Sequence, residues 1–255
     1  MDNEFWNNLF QETLKLFVDP EVTKRLEGGQ IDRSWRMFAA QVVMNVGEPV
    51  RVRLNEEVTA VFTAMLPGQL AEVGKTISLK DIESIANIEL APADANAGHI
   101  TMIALKGDWY ITFDLRYNRA RILEYLVTTD EFLATAHDAL SMSRLRPFVE
   151  NLLAAAEHLA RCYLMVQPDP DLLKKGSSHN LVKTRFNYAS KLGNVNSAYA
   201  DTLNELFELR NPARYMTRDF WIPPWRADEL LRAVQRLRSD VERRLPPRYV
   251  ARSSG

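Results

Sequence analysis

Residues 99–115 read HITMIALKGDWYITFDL. The runs HITMIAL and WYITFDL flank Lys106-Gly107-Asp108, and Trp109, Ile111, Phe113 and Leu115 fall on one side at a two-residue repeat, which is a β-hairpin pattern. Just past it, at Asn118, the period changes. Ile122, Leu126, Phe132 and Leu133 recur at helical spacing, and no strand pattern returns. The hairpin therefore closes a sheet-bearing part, 1–118, and opens an all-helical part, 119–255. The fold class expected is α+β, an antiparallel sheet with short helices followed by a helical bundle.

Upstream of the hairpin, Asp2 can cap a helix with Phe5, Trp6, Leu9, Phe10, Leu14 and Phe17 on its apolar side. Asp19-Pro20 reads as cap and first residue of a second helix, which Gly28-Gly29 ends. From about Trp35 a strand period begins. Val50, Val52 and Leu54 alternate with arginines, and Val58, Ala60, Phe62 and Ala64 continue beyond Asn55-Glu56, which predicts a first hairpin. Downstream, Phe148, Leu152, Ala155, Leu159 and Val166 mark a long helix, and QPDPDLLKKGSS reads as a loop. A helix over 179–192 ends at Gly193, Asn196 caps the next, and a last one runs from Trp225 to Leu245 before Pro246-Pro247.

The chain has 255 residues, 46% of them apolar, enough for one large domain or two small ones. No run approaches ~20 uninterrupted apolar residues, so no membrane partner is expected. The acidic, amphipathic MDNEFWNNLF does not read as a signal peptide. One cysteine, Cys162, excludes an internal disulfide framework and makes a reducing, cytoplasmic setting the default. The net charge of −1 conceals an asymmetry: residues 174–255 carry 4 Lys and 12 Arg against 8 acidic residues, whereas 1–173 carry 16 basic and 25 acidic ones. An arginine-rich end suits an anionic partner, nucleic acid above all, or alternatively the acidic half of the same chain.

Several chemical signatures fail on spacing. In GQLAEVGKT, five residues separate Gly68 from Gly74 where a phosphate-binding loop has four, so no nucleotide cofactor is assigned. His99, His137, His158 and His179 form no i, i+4 ligand pair, and no metal is expected. Glu157 and Arg161 read as a solvated i, i+4 ion pair beside His158, and Cys162 as a core residue.

Residues 203–216, LNELFELRNPARYM, are less ordinary. Pro212 lacks an N–H and disfavours helical geometry at Asn211, so the helix is expected to end there, with Asn211 capping a new turn. Arg210, Asn211, Arg214 and Tyr215 would then converge on an anion site at a helix N-terminus. The alternative is a capped junction with solvated arginines.

The order of parts from Asn118 to Leu245 resembles a HEPN domain, the all-α family named for higher eukaryotes and prokaryotes nucleotide-binding proteins. The likeness is carried by NLLAAAEHLARCYLM, a polar loop, SSHNLVKTRFNYASKLG, and a helix ending in LNELFELRNPARY. Ribonucleases of this family carry Arg, a polar residue, three or more residues and His. Arg210 and Asn211 match, while Tyr215 stands in the histidine's place. The resemblance implies RNA or nucleotide binding in a defence or stress setting of the toxin–antitoxin or phage-defence kind. It implies that Arg210, Arg214 and His179 hold phosphate, with Arg210, Asn211 and Tyr215 as the catalytic set. A homodimer paired through 197–225 is also implied, where Phe220, Trp221, Ile222 and Trp225 follow the motif. Tyrosine, with an ordinary pKa of about 10, is a poor base, so ribonuclease activity is expected to be weak or lost. The alternatives are a metal-independent endoribonuclease using Tyr215 or His179 folded back toward Arg210, and a module that binds an acidic protein.

Overall fold

The apolar stripe that opens the chain forms one continuous helical stretch: α1 (Asn3–Thr13), a π-helical segment (Leu14–Val18) and α2 (Asp19–Glu27). Asp19 is therefore inside the helix rather than capping a new one. The cause is local. The Thr13 hydroxyl donates to the Leu9 carbonyl at 2.6 Å, and the Asp19 N–H reaches back five residues to Leu14. The computed structural model describes residues 3–65, 82–174, 179–215 and 220–245. The expected Asp2 cap, the Gly68–Thr76 stretch and the Pro246-Pro247 stop lie outside those residues.

The chain divides into two units, Met1–Tyr117 and Asn118–Gly255, and is α+β. In the first, β1 (Ala39–Met44), β2 (Arg51–Leu54), β3 (Ala60–Met65), β4 (Ser84–Leu90), β5 (Gly98–Leu105) and β6 (Asp108–Asp114) build two antiparallel sheets, ordered β2-β1-β5-β6 and β3-β4. The hairpin at 99–115 forms around Lys106 and Gly107, both at positive φ, as a two-residue turn of the mirror-image type requires. Trp109 and Phe113 meet the rings of Phe10, Phe5 and Trp6 at centroid distances of 5.4–5.9 Å.

The first hairpin expected from the sequence does not form. β2 and β3 are separated by a 3-10 turn over Asn55–Glu57 and lie in different sheets, β2 pairing with β1 and β3 with β4. β1 reads AAQVVM and is buried on both faces: Ala40 packs with Val18 and Met102, while Ala39 and Val43 pack with Ile88, Ile103 and Leu90. On its second face the buried Gln41 donates to Thr59 O and Thr101 Oγ1, and Arg53 bridges Gln41, Thr59 and Asp94. A buried polar row survives only when bonded in this way.

The second unit contains α3 (Arg119–Ser141), α4 (Leu145–Met165), α5 (Pro170–Leu173), α6 (His179–Lys191), α7 (Ser197–Arg214) and α8 (Pro224–Arg244). α4 is its axis, touching every other helix of the unit and burying Phe148, Leu152 and Leu159 completely. Asn118, in the left-handed region, donates its amide to Met165 O at 2.9 Å and ties the start of α3 to the end of α4. Asp169 caps the short α5 inside the stretch read as a loop. Gly193 at φ 76° closes α6, with Asn194 N–H reaching Ala189 O and Gly193 N–H reaching Ser190 O, while Leu192 lies exposed past the helix end. Asn196 caps α7 through the Ala198 N–H, as its position suggests.

α7 then departs from expectation: it runs through Pro212 to Arg214. Asn211 is not an N-cap, and no new helix starts there. The last turn is held from outside the helix. Arg146 donates from Nη1 to the carbonyls of Pro212 and Ala213 at 2.9 and 2.8 Å, and its guanidinium lies 5.3 Å from the Phe220 ring centroid.

Candidate functional site

Because α7 stays helical, the four residues singled out at its end do not gather at one point. Arg210 and Arg214 share a side of the helix four residues apart, while Asn211 and Tyr215 lie a step round. Arg214 pairs with Glu150 of α4 at 2.9 Å. Asn211 is exposed and its carbonyl accepts from the Tyr215 N–H. Tyr215 ends the helix 73% exposed. By helix geometry it sits roughly 140° round the axis from Arg210.

Arg210 is half-buried on the α4 side, and its positive charge reaches Glu157. Glu157, one helical repeat of seven after Glu150, hydrogen-bonds Nδ1 of His179, the first residue of α6, at 2.7 Å. The sequence reading placed Glu157 in a solvated pair with Arg161. Its hydrogen bond instead goes to His179, and its side chain is 14% exposed. Arg161 donates to Leu172 O and acts on Glu157 through its charge. Three elements thus bring together Glu157, His179 and the charge of Arg210, while Asn211, Arg214 and Tyr215 point elsewhere.

Glu157 and His179 line a cleft of about 520 Å³ together with Arg121, Tyr125, His158, Arg161, Lys174 and the apolar Met165, Leu172 and Val182. Burial pushes the Glu157 carboxyl above its usual range, opposed by the charges of His179, Arg210 and Arg161. His158, edge-on to Tyr125 and Phe132, is held below the ordinary histidine range by burial, then by Arg161 and His179, and its Nδ1 is buried without a hydrogen-bond partner. A ring kept neutral in this way belongs to the wall. Cys162 is fully buried and its thiol is pushed up to about 12, as a core residue's would be.

The chemistry available is that of an anion cleft with one acid–base pair. Arginine and lysine suit phosphate oxygens, and an accessible histidine beside a carboxylate can carry a proton near neutral pH. Among the described residues no group of three or more His, Cys, Asp or Glu side chains is placed to hold a metal ion, and no helix is long and apolar enough to cross a membrane. The sequence reading missed Arg121, Arg161 and Lys174 as cleft cations. The available signal was Glu150, Glu157 and Arg161, spaced by seven and four residues along one side of a largely apolar helix.

The basic excess of the C-terminal region is largely paired within the unit. On α8, Arg226 meets Glu205 and Glu229, Arg238 meets Asp130 and Glu242, and Arg243 meets Asp240. Arg244 lies over the Tyr163 ring. The aromatics after α7 also divide. Ile222 is buried and Phe220 packs on the core, while Trp221 and Trp225 are 67% and 63% exposed. No protein-family model matches the chain, and no curated protein or solved structure is significantly similar to it.

Proposed function

We propose that the helical unit is a HEPN-like module that binds RNA or a nucleotide through phosphate, in a cytoplasmic defence or stress setting, with ribonuclease activity weak or lost. The observation that carries this reading is the cleft beside Arg210, where Arg121, Arg161, Lys174 and His179 line the wall and Glu157 is the one carboxylate among the described lining residues. Such a surplus of cations suits an anion with several acceptor oxygens. Weak activity follows from the place of Tyr215, which stands in solvent at the end of α7, away from the Glu157–His179 pair. Homodimerisation belongs to the same proposal, and the exposed Trp221 and Trp225 support it. The test is a fluorescence titration of the full chain with labelled single-stranded RNA at low and moderate salt. Salt-sensitive binding that Arg210→Ala and Arg121→Gln weaken supports the reading, and salt-independent or absent binding refutes it.

The Glu157–His179 hydrogen bond favours a second reading, a metal-independent endoribonuclease. In it His179 removes the proton of a 2′-hydroxyl as that oxygen attacks the neighbouring phosphorus. The bond from phosphorus to the 5′ oxygen breaks, and solvent protonates the leaving oxygen, giving a 2′,3′-cyclic phosphate and a 5′-hydroxyl. Cleavage in chelator that His179→Ala abolishes and Tyr215→Phe spares would establish this reading over the first.

A further inference from the structure

Most charges along the cleft are satisfied at its rim. Lys174 pairs with Asp171 at 2.6 Å in solvent, and Arg161 donates to a backbone carbonyl. Glu157 differs from these. Among the described residues it is the single carboxylate in the wall; it is half-buried, and it bonds His179 at 2.7 Å while lying in the field of Arg210 and Arg161. A carboxylate so placed offers these cations what a phosphate offers: a negative charge and two acceptor oxygens in one plane.

We infer that Glu157 is the resident counter-anion of the cleft, holding the cations that a ligand's phosphate takes over, so that an entering anion must displace or neutralise it. This rests on reading the cleft as a phosphate site and adds what governs its occupancy. The groups facing Glu157 are His179 on α6, Arg210 on α7, His158 and Arg161 on α4, Arg121 and Tyr125 on α3, and Lys174 beyond α5. Burial holds His158 below the ordinary histidine range.

Two consequences follow. Removing the charge of Glu157 while keeping its shape tightens anion binding. In the native chain, binding an anion next to Glu157 favours its protonated form, so affinity rises as pH falls and a proton is taken up on binding. A positive charge on His179 also favours the anion, and the two are separated by substituting each in turn.

The experiment is calorimetric titration of the full chain with inorganic sulfate, which stands in for phosphate and keeps its charge between about pH 5 and pH 8, at low salt and about pH 8, where an ordinary carboxylate is ionised. Glu157→Gln is expected to bind roughly tenfold tighter than the native chain, the effect of deleting one like charge at short range in a partly screened site. His179→Gln is expected to keep an affinity that rises from about pH 8 to about pH 5, and the double substitution is expected to lose that dependence. Equal or weaker binding by Glu157→Gln, with native binding still weakened by Arg210→Gln, overturns the inference and leaves the phosphate reading standing: Glu157 then positions its cations rather than competing for their ligand. Absence of sulfate binding in the native chain and all variants overturns both. If circular dichroism finds Glu157→Gln unfolded, the His179→Gln pH series decides, and a flat series overturns the inference.

Discussion

Replacing Arg146 by alanine should destabilise the helical unit far more than an ordinary half-exposed arginine does. Its two bonds, 2.9 and 2.8 Å to Pro212 O and Ala213 O, serve carbonyls in the last turn of α7. Hydrogen bonds from a charged donor contribute about 1.5–3 kcal/mol each, but two from one nitrogen share their strength. A cation at a helix C-terminus adds about 0.3–1 kcal/mol, and the stacking on Phe220 about 0.5–1 kcal/mol. These contributions overlap, so the expected loss is about 2–3 kcal/mol, with a fall in Tm of roughly 6–12 °C for a unit of this size. Urea unfolding followed by far-ultraviolet circular dichroism reads the helical unit preferentially, and calorimetry gives Tm. Arg146→Lys, which keeps the charge and loses the planar fork, should recover about half. Arg232→Ala, whose Nε–H bonds a carbonyl four residues back on an exposed helix face, is the control and should cost under about 0.5 kcal/mol. An Arg146→Ala loss no larger than the control's would mean that the turn through Pro212 holds without its cap, and the explanation for the uninterrupted helix would be wrong.

Arg210→Ala should weaken RNA binding by about 10- to 100-fold and Arg236→Ala, exposed on α8, by less than about fivefold in the same titration; equal losses would place binding on a diffuse surface. Acid should destabilise the helical unit through His158. Its folded pKa lies below the unfolded 6.5, so the unfolded chain takes the proton first and stability falls as pH drops below that value. His158→Phe should flatten this limb in urea midpoints measured across the range. Glu157 acts with the opposite sign: its folded pKa lies above the unfolded 4.5, so the native state gains as pH falls through the folded value, and Glu157→Gln should raise stability near neutrality. Light scattering over a concentration series should find a dimer, which Trp221→Ser with Trp225→Ser dissociates; a monomer at the highest concentration contradicts the pairing.

What the sequence disclosed followed from local physics. The Lys106-Gly107 turn, the glycine-terminated α6, the Asn196 cap and the period of α8 each depend on residues within one or two turns of each other. The failures depended on distant partners. β1 shows no alternation because both its faces are covered, and β3, set off from β2 by the 3-10 turn, pairs with β4 rather than with β2, so adjacent strand signals were read as one hairpin. Pro212 carries a local stop signal, overridden by Arg146 from 66 residues away. The site divides in the same manner. Arg210 and His179 were legible as candidates because their chemistry is written in their residue types. Their link through Glu157 was not, since it is made by the packing of α4 against α6 and α7.

The central claim is that the cleft holds RNA phosphate, and the salt dependence of binding tests it most directly. Single-stranded RNA should be titrated into the full chain and into Arg121→Gln/Arg161→Gln/Arg210→Gln across a series of salt concentrations. Each phosphate neutralised on a single strand contributes about 0.7 to the slope of log affinity against log salt, so removing the two cleft arginines and Arg210 beside them should make the slope shallower by about 2 and weaken binding at low salt. No binding by the native chain at low salt, or the same slope and affinity in the triple variant, would contradict the account.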